Sequence, residues 1–182
     1  MIHTFFRKFS VILLCAALLS PSAFASETDT PPLLGKKAPV FETKTLDGKE
    51  FKLKDYEGKL VLVDFWATWC PPCKAELPHL KEVYAKYHKK GLEIVSISAE
   101  DSNIIKPFAS ANKMDWIHIS DPQKKLLRLY NIESYPSPFL IGPDGTLLEK
   151  HIPLRIHYLE KSIEEHIDKV KPEALKKVDA AE

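Results

Sequence analysis

The chain has 182 residues, of which 45% are hydrophobic and 28% are charged, and its formal net charge is +1. This length suits one compact domain with a short appendage, and a domain of this size folds without disulfides. The near-neutral charge excludes the clustered excess of Lys and Arg that nucleic-acid binding requires. Three cysteines are too few for a small scaffold held together by disulfides.

The first 25 residues have the pattern of a secretory signal peptide. Two basic residues precede an apolar run over residues 11–19, and Ala23-Phe24-Ala25 provides the small-x-small ending. The run is about half of the ~20 residues that a membrane-spanning helix needs, although an uncleaved N-terminal anchor is the alternative. Of the 182 residues, cleavage after Ala25 would leave 157, and loss of two basic residues would change the net charge from +1 to −1. The exported chain would retain two of the three cysteines, Cys70 and Cys73.

Strand and helix patterns alternate along the rest of the chain. Alternating residues around the turn dipeptide Asp47-Gly48 predict a β-hairpin, and a continuous apolar run predicts a strand buried on both faces. Asp121 is the predicted N-cap of a later helix, with Pro122 at its first position. The predicted elements are, in chain order, a hairpin at 41–53, a strand at 60–65, a helix at 70–90, a strand at 93–98, a helix at 102–112, a strand at 116–119, a helix at 121–130, a hairpin at 139–148 and a helix at 156–170.

This order predicts an α/β fold in which helices flank a mixed central sheet. It also divides the chain into four parts, namely a signal peptide at 1–25, a flexible linker at 26–34, one domain at 35–170 and a charged tail at 171–182.

The two cysteines of the exported chain form the motif Cys70-Pro71-Pro72-Cys73. A zinc site needs about four ligands, commonly a second cysteine pair or closely spaced histidines. The histidines show no such pairing and are expected at the surface, namely His79, His88, His118, His151, His157 and His166. We therefore expect no metal site and no cofactor.

The position of the motif favours redox chemistry. A buried strand gives way to a helix at Cys70, where unpaired N–H groups and the positive end of the helix dipole stabilise a thiolate. A thiolate is the nucleophile in disulfide exchange. Cys73 follows one helical turn later and can attack the mixed disulfide to release product. A purely structural disulfide is the disfavoured alternative.

Two acids near the motif are candidates for proton transfer. Asp64 interrupts an apolar strand, and a buried carboxylate is costly unless it is protonated or paired. It could accept the proton of Cys73 with a raised pKa, or instead bond a backbone amide at the exposed end of the strand. Glu76 follows Cys73 by three residues and is either a second proton carrier or an acid that hydrogen-bonds under a loop.

The stretch 65–78 resembles the active-site signature of the thioredoxin superfamily, specifically its exported TlpA/ResA-like branch. Residues 35–41 with 46–48 are similar to the N-terminal hairpin of that branch, and residues 130–136 with 139–145 to its later half. The resemblance covers roughly residues 34–170. It implies a thioredoxin-like fold with a mixed central sheet flanked by helices, an N-terminal β-hairpin and a central helix–strand insertion.

The resemblance also implies roles for individual residues. Cys70 would be the attacking thiol and Cys73 the resolving one, so that they form the redox disulfide, and Glu76 would match the acid of the branch. The residues implied to face the substrate are Trp69, Pro71, Pro72, Tyr135 and Pro136, the last as a cis-proline. Two features depart from the branch: Asp64 is similar to the buried acid of thioredoxin itself, and Ser137-Pro138 stands where Thr-Thr is commoner.

By this resemblance the protein would be a periplasmic thiol–disulfide oxidoreductase that acts as a reductant. Its substrates would be disulfides in cytochrome c maturation, in copper-centre assembly or in periplasmic proteins generally. A membrane protein of the DsbD or CcdA type would supply electrons, and the protein would be a monomer that does not bind nucleic acid.

There are three alternative hypotheses for the function. A DsbA-like oxidant or isomerase is disfavoured because DsbA inserts a large helical domain and has a histidine between its cysteines. A peroxiredoxin needs Thr or Ser three residues before its reactive cysteine, and here Ala67 stands there. A non-enzymatic module that carries copper(I) on its two soft thiolate ligands is the remaining alternative.

Overall fold

The computed structural model describes residues 34–150 and 156–175. The predicted signal peptide at 1–25 lies outside the described residues, as do most of the predicted linker and the end of the predicted tail. The side chains of His151 and His157 also lie outside them. None of the described helices is long and apolar enough to cross a membrane.

A five-stranded sheet forms the centre of the described domain, and a two-stranded hairpin precedes it. The strands are β1 (Glu42–Lys44) and β2 (Glu50–Lys52) of the hairpin, then β3 (Leu60–Phe65), β4 (Leu92–Ser98), β5 (Ile117–Ser120), β6 (Ser137–Ile141) and β7 (Leu147–Lys150). The described α-helices are α1 (Pro71–Tyr87), α2 (Ser102–Ala111), α3 (Lys125–Leu129), α4 (Ile156–Ile167) and α5 (Pro172–Leu175).

The sheet is mixed, as the sequence predicts. Its strand order is β5-β4-β3-β6-β7, in which β3, β4 and β5 are parallel and β6 and β7 continue antiparallel. Every residue of β3 and β4 is buried, which explains the apolar run at 60–63 in β3. β4 also buries three polar side chains, those of Glu93, Ser96 and Ser98. Between β4 and α3, α2 and β5 form the predicted helix–strand insertion.

Different helices pack against the two faces of the sheet. Leu60 and Leu62 on β3 belong to a core that also contains the buried faces of α1, α2 and α4. Val61 and Val63, which alternate with them, belong to a second core with the N-terminal hairpin and α3. Each large apolar side chain buried in this way stabilises the fold by about 1.5–3 kcal/mol. The central position of β3 fixes the place at which α1 begins.

The helix predicted at 121–130 is shorter than expected. Asp121 does not sit at the N-cap position with Pro122 in the first turn, because residues 121–124 form a turn and Lys124 has a left-handed φ of +54°. The Asp121 carboxylate nevertheless caps the helix. It accepts hydrogen bonds from the backbone N–H groups of residues 125–127 at 2.8 to 3.0 Å. A carboxylate can therefore cap this helix from several residues upstream.

Part of the predicted charged tail packs against the domain. The N–H of Lys171 donates a hydrogen bond to the carbonyl of Gly58 at 3.0 Å, and Ala174 in α5 is only 3% exposed. The packed body thus continues to residue 175, five residues past the predicted end of the domain at 170. The small Ala174 side chain, which carries little signal in a sequence, makes this contact.

The prediction that the histidines lie at the surface is wrong for His118. This residue is 7% exposed, and its ring packs 5.8 Å from the ring of Trp116 and 6.4 Å from that of Trp66. Its Nε2 lies 3.0 Å from the carbonyl oxygen of Met114. Burial lowers the pKa of His118, so the ring packs as a neutral aromatic group.

We predict that G91A lowers the free energy of unfolding by about 2–6 kcal/mol, because left-handed backbone and steric overlap each cost about 1–3 kcal/mol. Gly91 has a φ of +102°, and a Cβ there would lie 2.4 Å from Cγ1 of Val170. The matched control is G48A, with a φ of +79° and no atom within 4 Å of the added carbon. Urea unfolding measures both variants. A G91A loss no larger than that of G48A would contradict the prediction.

Candidate active site

The two cysteines lie at the junction between the central strand and the first helix. Their sulfurs are joined in a disulfide, and Cys70 occupies the N-cap position of α1. The Cys70 sulfur accepts a hydrogen bond from the N–H of Cys73 at 3.2 Å. Pro71 and Pro72 fill the first helical positions, where a missing N–H group costs little. A thiolate at Cys70 would thus meet a backbone donor and the positive end of the helix dipole.

The disulfide is buried but borders a large cleft. Cys70 is 3% exposed, and the cleft beside it has a volume of about 1100 Å³. Trp69, Pro71, Pro72 and Tyr135 line this cleft together with Cys70. The structure therefore brings together four of the five residues that the sequence predicts to face a substrate.

An aromatic pair, exposed Trp69 and half-buried Tyr135, lines this cleft. Trp69 is 65% exposed, and its ring meets the ring of Tyr135 edge-on at a centroid distance of 5.9 Å. The peptide bond between Tyr135 and Pro136 is cis. Ser137, the next residue, pairs with Phe65 at the end of β3, so that Pro136 lies at the sheet edge from which the cysteine turn leaves.

Asp64 lies inside the protein behind this turn. It stands on β3 between Leu62 and Trp66, two residues whose side chains belong to the core shared with α1 and Cys73. The Asp64 side chain is buried, and its Oδ1 has no hydrogen-bond partner among the described residues. This position excludes the alternative of a carboxylate at an exposed strand end.

Burial raises the pKa of Asp64 to about 7, and the negative charge of Glu76 adds to the increase. Glu76 is half-buried on α1, and its Oε2 is enclosed without a hydrogen-bond partner within the described part of the chain. The two acids therefore interact across the interface between β3 and α1. A group with a pKa near 7 can both accept and release a proton at neutral pH.

Glu100 also lines the cleft, and the sequence analysis did not identify it. Its carboxylate accepts hydrogen bonds from the backbone N–H of Thr68 at 2.7 Å and from the Thr68 hydroxyl at 2.6 Å. A signal was present in the sequence. Glu100 lies two residues after the end of β4, and the carboxyl ends of neighbouring parallel strands meet at one sheet edge.

The cleft beyond Cys70 combines apolar and cationic side chains. Leu127 and Ile132 contribute apolar surface, and Lys124 and Arg128 contribute positive charge. Among residues 34–150 and 156–175, no group of three or more His, Cys, Asp or Glu side chains is arranged to hold a metal ion. The chemistry that this arrangement offers is that of the cysteine pair.

Known proteins with similar sequences and structures have thiol–disulfide activities. The profile of the AhpC/TSA family matches residues 34–150. The thiol-disulfide oxidoreductase ResA of Bacillus thuringiensis is 32% identical over 171 residues, which cover 92% of this chain and 96% of that protein. ResA of Bacillus cereus is 34% identical over the same length and with the same coverage.

Solved structures agree with this result. A protein of Chlorobium tepidum assigned to the DsbE thiol:disulfide interchange proteins has a TM-score of 0.70 and 31% identity, over 75% of this chain and 99% of that one. The thioredoxin domain of a thiol-disulfide oxidoreductase of Bacteroides vulgatus has a TM-score of 0.67 and 30% identity, over 73% and 96%. By fold and by sequence, the chain belongs to the thioredoxin-like AhpC/TSA family and is a thiol–disulfide oxidoreductase.

Proposed function

We propose that the protein is a periplasmic reductant that opens disulfides in other proteins with the Cys70–Cys73 pair. The observation that carries this proposal is the position of Cys70, at the N-cap of α1 and at the wall of a cleft of about 1100 Å³. The cleft gives a protein segment access to one of the two sulfurs. Both cysteines pack into the core, and among the described residues that line the cleft only Cys70 represents the pair.

The reaction consists of two exchange steps. In the reduced protein, the Cys70 thiolate attacks one sulfur of a substrate disulfide, which forms a mixed disulfide and releases one substrate thiol. The Cys73 thiolate then attacks the Cys70 sulfur, which releases the second substrate thiol and forms the Cys70–Cys73 disulfide. Two electrons pass to the substrate. A thiol-bearing membrane partner of the DsbD or CcdA type returns them by the same exchange in reverse.

Asp64 is the residue that we propose to accept the proton of Cys73 in the second step. It faces the core that contains Cys73, and its pKa of about 7 matches the acidity that this transfer needs near neutral pH. Glu76 is half-buried on the helix, and its negative charge helps to raise the pKa of Asp64. Asp64 then carries the proton, and Glu76 raises the pKa of Asp64.

The proposals for location, substrate class and oligomeric state rest on the sequence. The basic, apolar and small-residue pattern of residues 1–25 supports export to the periplasm by a cleaved signal, and an uncleaved signal would instead anchor the protein to the inner membrane. The proposed substrates are disulfides of cytochrome c or copper-centre maturation, or of periplasmic proteins in general. The protein is proposed to act as a monomer.

We predict that the wild-type protein accelerates reduction of insulin disulfides by dithiothreitol and that C70S abolishes this activity. C73S retains the attacking thiol but lacks the resolving one, so it should accumulate a mixed disulfide with the substrate. A turbidity assay measures the rate, and a non-reducing gel shows the mixed disulfide. A wild-type protein that leaves insulin intact but retains one equivalent of copper(I) would contradict the proposal and favour the copper-binding alternative.

We predict that D64N slows the resolving step by about a hundredfold at neutral pH, because an amide cannot accept the proton of Cys73. Stopped-flow thiol release from a preformed mixed disulfide on Cys70 measures this step. E76Q is the matched control, since it removes the neighbouring carboxylate and leaves Asp64 in place. A larger loss in E76Q than in D64N would reverse the two roles.

A second readout tests the titration of Asp64 itself. The folded chain holds a proton on Asp64 more tightly than the unfolded chain, because its pKa rises from 3.8 to about 7 on burial. The free energy of unfolding therefore falls between pH 4 and pH 7, by about 1.4 kcal/mol per pH unit at most. D64N should lose this dependence and gain stability relative to wild type across that window. A pH-independent difference between the two proteins would contradict the assignment.

A further inference from the structure

The residues just before Cys70 form a tight turn that Glu100 holds from outside. The N–H of Cys70 donates a hydrogen bond to the carbonyl of Ala67 at 3.1 Å, which places Thr68 and Trp69 at the two central positions of the turn. The N–H of Thr68 has no acceptor within such a turn. Its acceptor is the Glu100 carboxylate, at 2.7 Å.

Glu100 binds this turn with both carboxylate oxygens. Oε2 accepts from the backbone N–H of Thr68, and Oε1 accepts from the Thr68 hydroxyl at 2.6 Å. The Ser98 hydroxyl donates a third hydrogen bond to Oε2 at 3.1 Å. Hydrogen bonds to a carboxylate are about twice as strong as those between neutral groups, and a bidentate pair also fixes an orientation.

The backbone of Glu100 is itself anchored to two strands. Its N–H donates to the Ser98 hydroxyl at the end of β4, at 3.2 Å, and its carbonyl accepts from the Ser120 hydroxyl at the end of β5, at 2.8 Å. Glu100 therefore links the turn that follows β3 to the ends of the parallel strands β4 and β5 by hydrogen bonds. Another anchor of the turn is the bond from the N–H of Trp66 to the carbonyl of Ile97, at 3.0 Å.

We propose that Glu100 is a positioning residue for disulfide exchange: its carboxylate holds the Thr68–Trp69 turn and thereby sets the approach of a substrate disulfide to the Cys70 sulfur. The attack requires the incoming sulfur to align with the substrate S–S bond. A displacement of about 1 Å can cost about a hundredfold in rate. Trp69, next in the turn, carries the exposed ring that meets Tyr135 in the cleft. The inference rests on the exchange activity proposed above.

This role depends on the carboxylate of Glu100. A glutamine at position 100 would keep an oxygen that accepts from the N–H of Thr68, but its uncharged amide could bond the Thr68 hydroxyl only if that hydroxyl turned from donor to acceptor. Glu100→Gln therefore replaces two charge-assisted hydrogen bonds with neutral, weaker ones while it preserves size. Asp101 gives a matched control, because it is exposed, adjacent in sequence and makes no side-chain capping bond. Asp101→Asn makes the same chemical change one residue away.

The test compares two reactions of reduced Cys70 over a range of pH. We expect E100Q to lower the limiting rate constant for exchange with a peptide disulfide by about tenfold or more. Alkylation by iodoacetamide needs no aligned S–S bond, so its rate per thiolate should stay at the wild-type value. D101N should behave as wild type in both reactions. An E100Q exchange rate equal to that of D101N, or an equal loss in both reactions, would overturn the proposal.

Variants of Thr68 keep the proposal testable should E100Q unfold. T68S retains both donors and should match wild type, whereas T68V removes the hydroxyl donor and should lose part of the exchange rate. Where E100Q folds, the double variant E100Q/T68V should lose no more than E100Q alone, since both changes act on one contact. Additive losses would contradict the proposal. A wild-type protein that does not exchange disulfides at all would instead contradict the proposed function.

Discussion

The site depends on one junction, at which the buried central strand β3 ends and α1 begins. β3 is paired on both sides and buried along its whole length, so the start of α1 is held at one point of the fold. Cys70 occupies the N-cap at this point and receives the backbone donor and the helix dipole. The same end of the sheet carries the cis peptide bond before Pro136, which precedes the antiparallel neighbour β6, and the acid Glu100, which follows the parallel neighbour β4.

A reductant must keep its thiol pair less stable than its disulfide, and the acids behind the pair contribute to that balance. Asp64 and Glu76 place two carboxyl groups in the region between β3 and α1. Negative charge there opposes the formation of thiolates on Cys70 and Cys73 but does not act on a neutral disulfide. The two acids thus favour the oxidised protein and, with it, donation of electrons to a substrate, whereas the helix dipole at Cys70 acts in the opposite direction. Glu100 serves the same site by geometry, through the turn that it holds.

The sequence predicts features that depend on local pattern and misses those that depend on contacts between distant segments. The buried strand at 60–65, the helix that starts beside Cys70 and the two hairpins all follow from periodicity and turn residues, and the structure has them. The contact of Glu100 with Thr68 spans 32 positions and depends on strand order, which periodicity does not give. His118 is buried because two tryptophans surround it, and residues 171–175 are packed because Ala174 fits against Gly58.

The equilibrium reduction potential of the Cys70–Cys73 pair tests the reductant function most directly. Titration against dithiothreitol and glutathione buffers, read by Trp69 fluorescence and by thiol-trapping gel shifts, gives its value. Asp64, Glu76 and the proposed flow of electrons predict a potential at or below about −250 mV, close to that of thioredoxin. A value near −120 mV, at the DsbA end of the roughly 150 mV range, would contradict this function and make the protein an oxidant or isomerase.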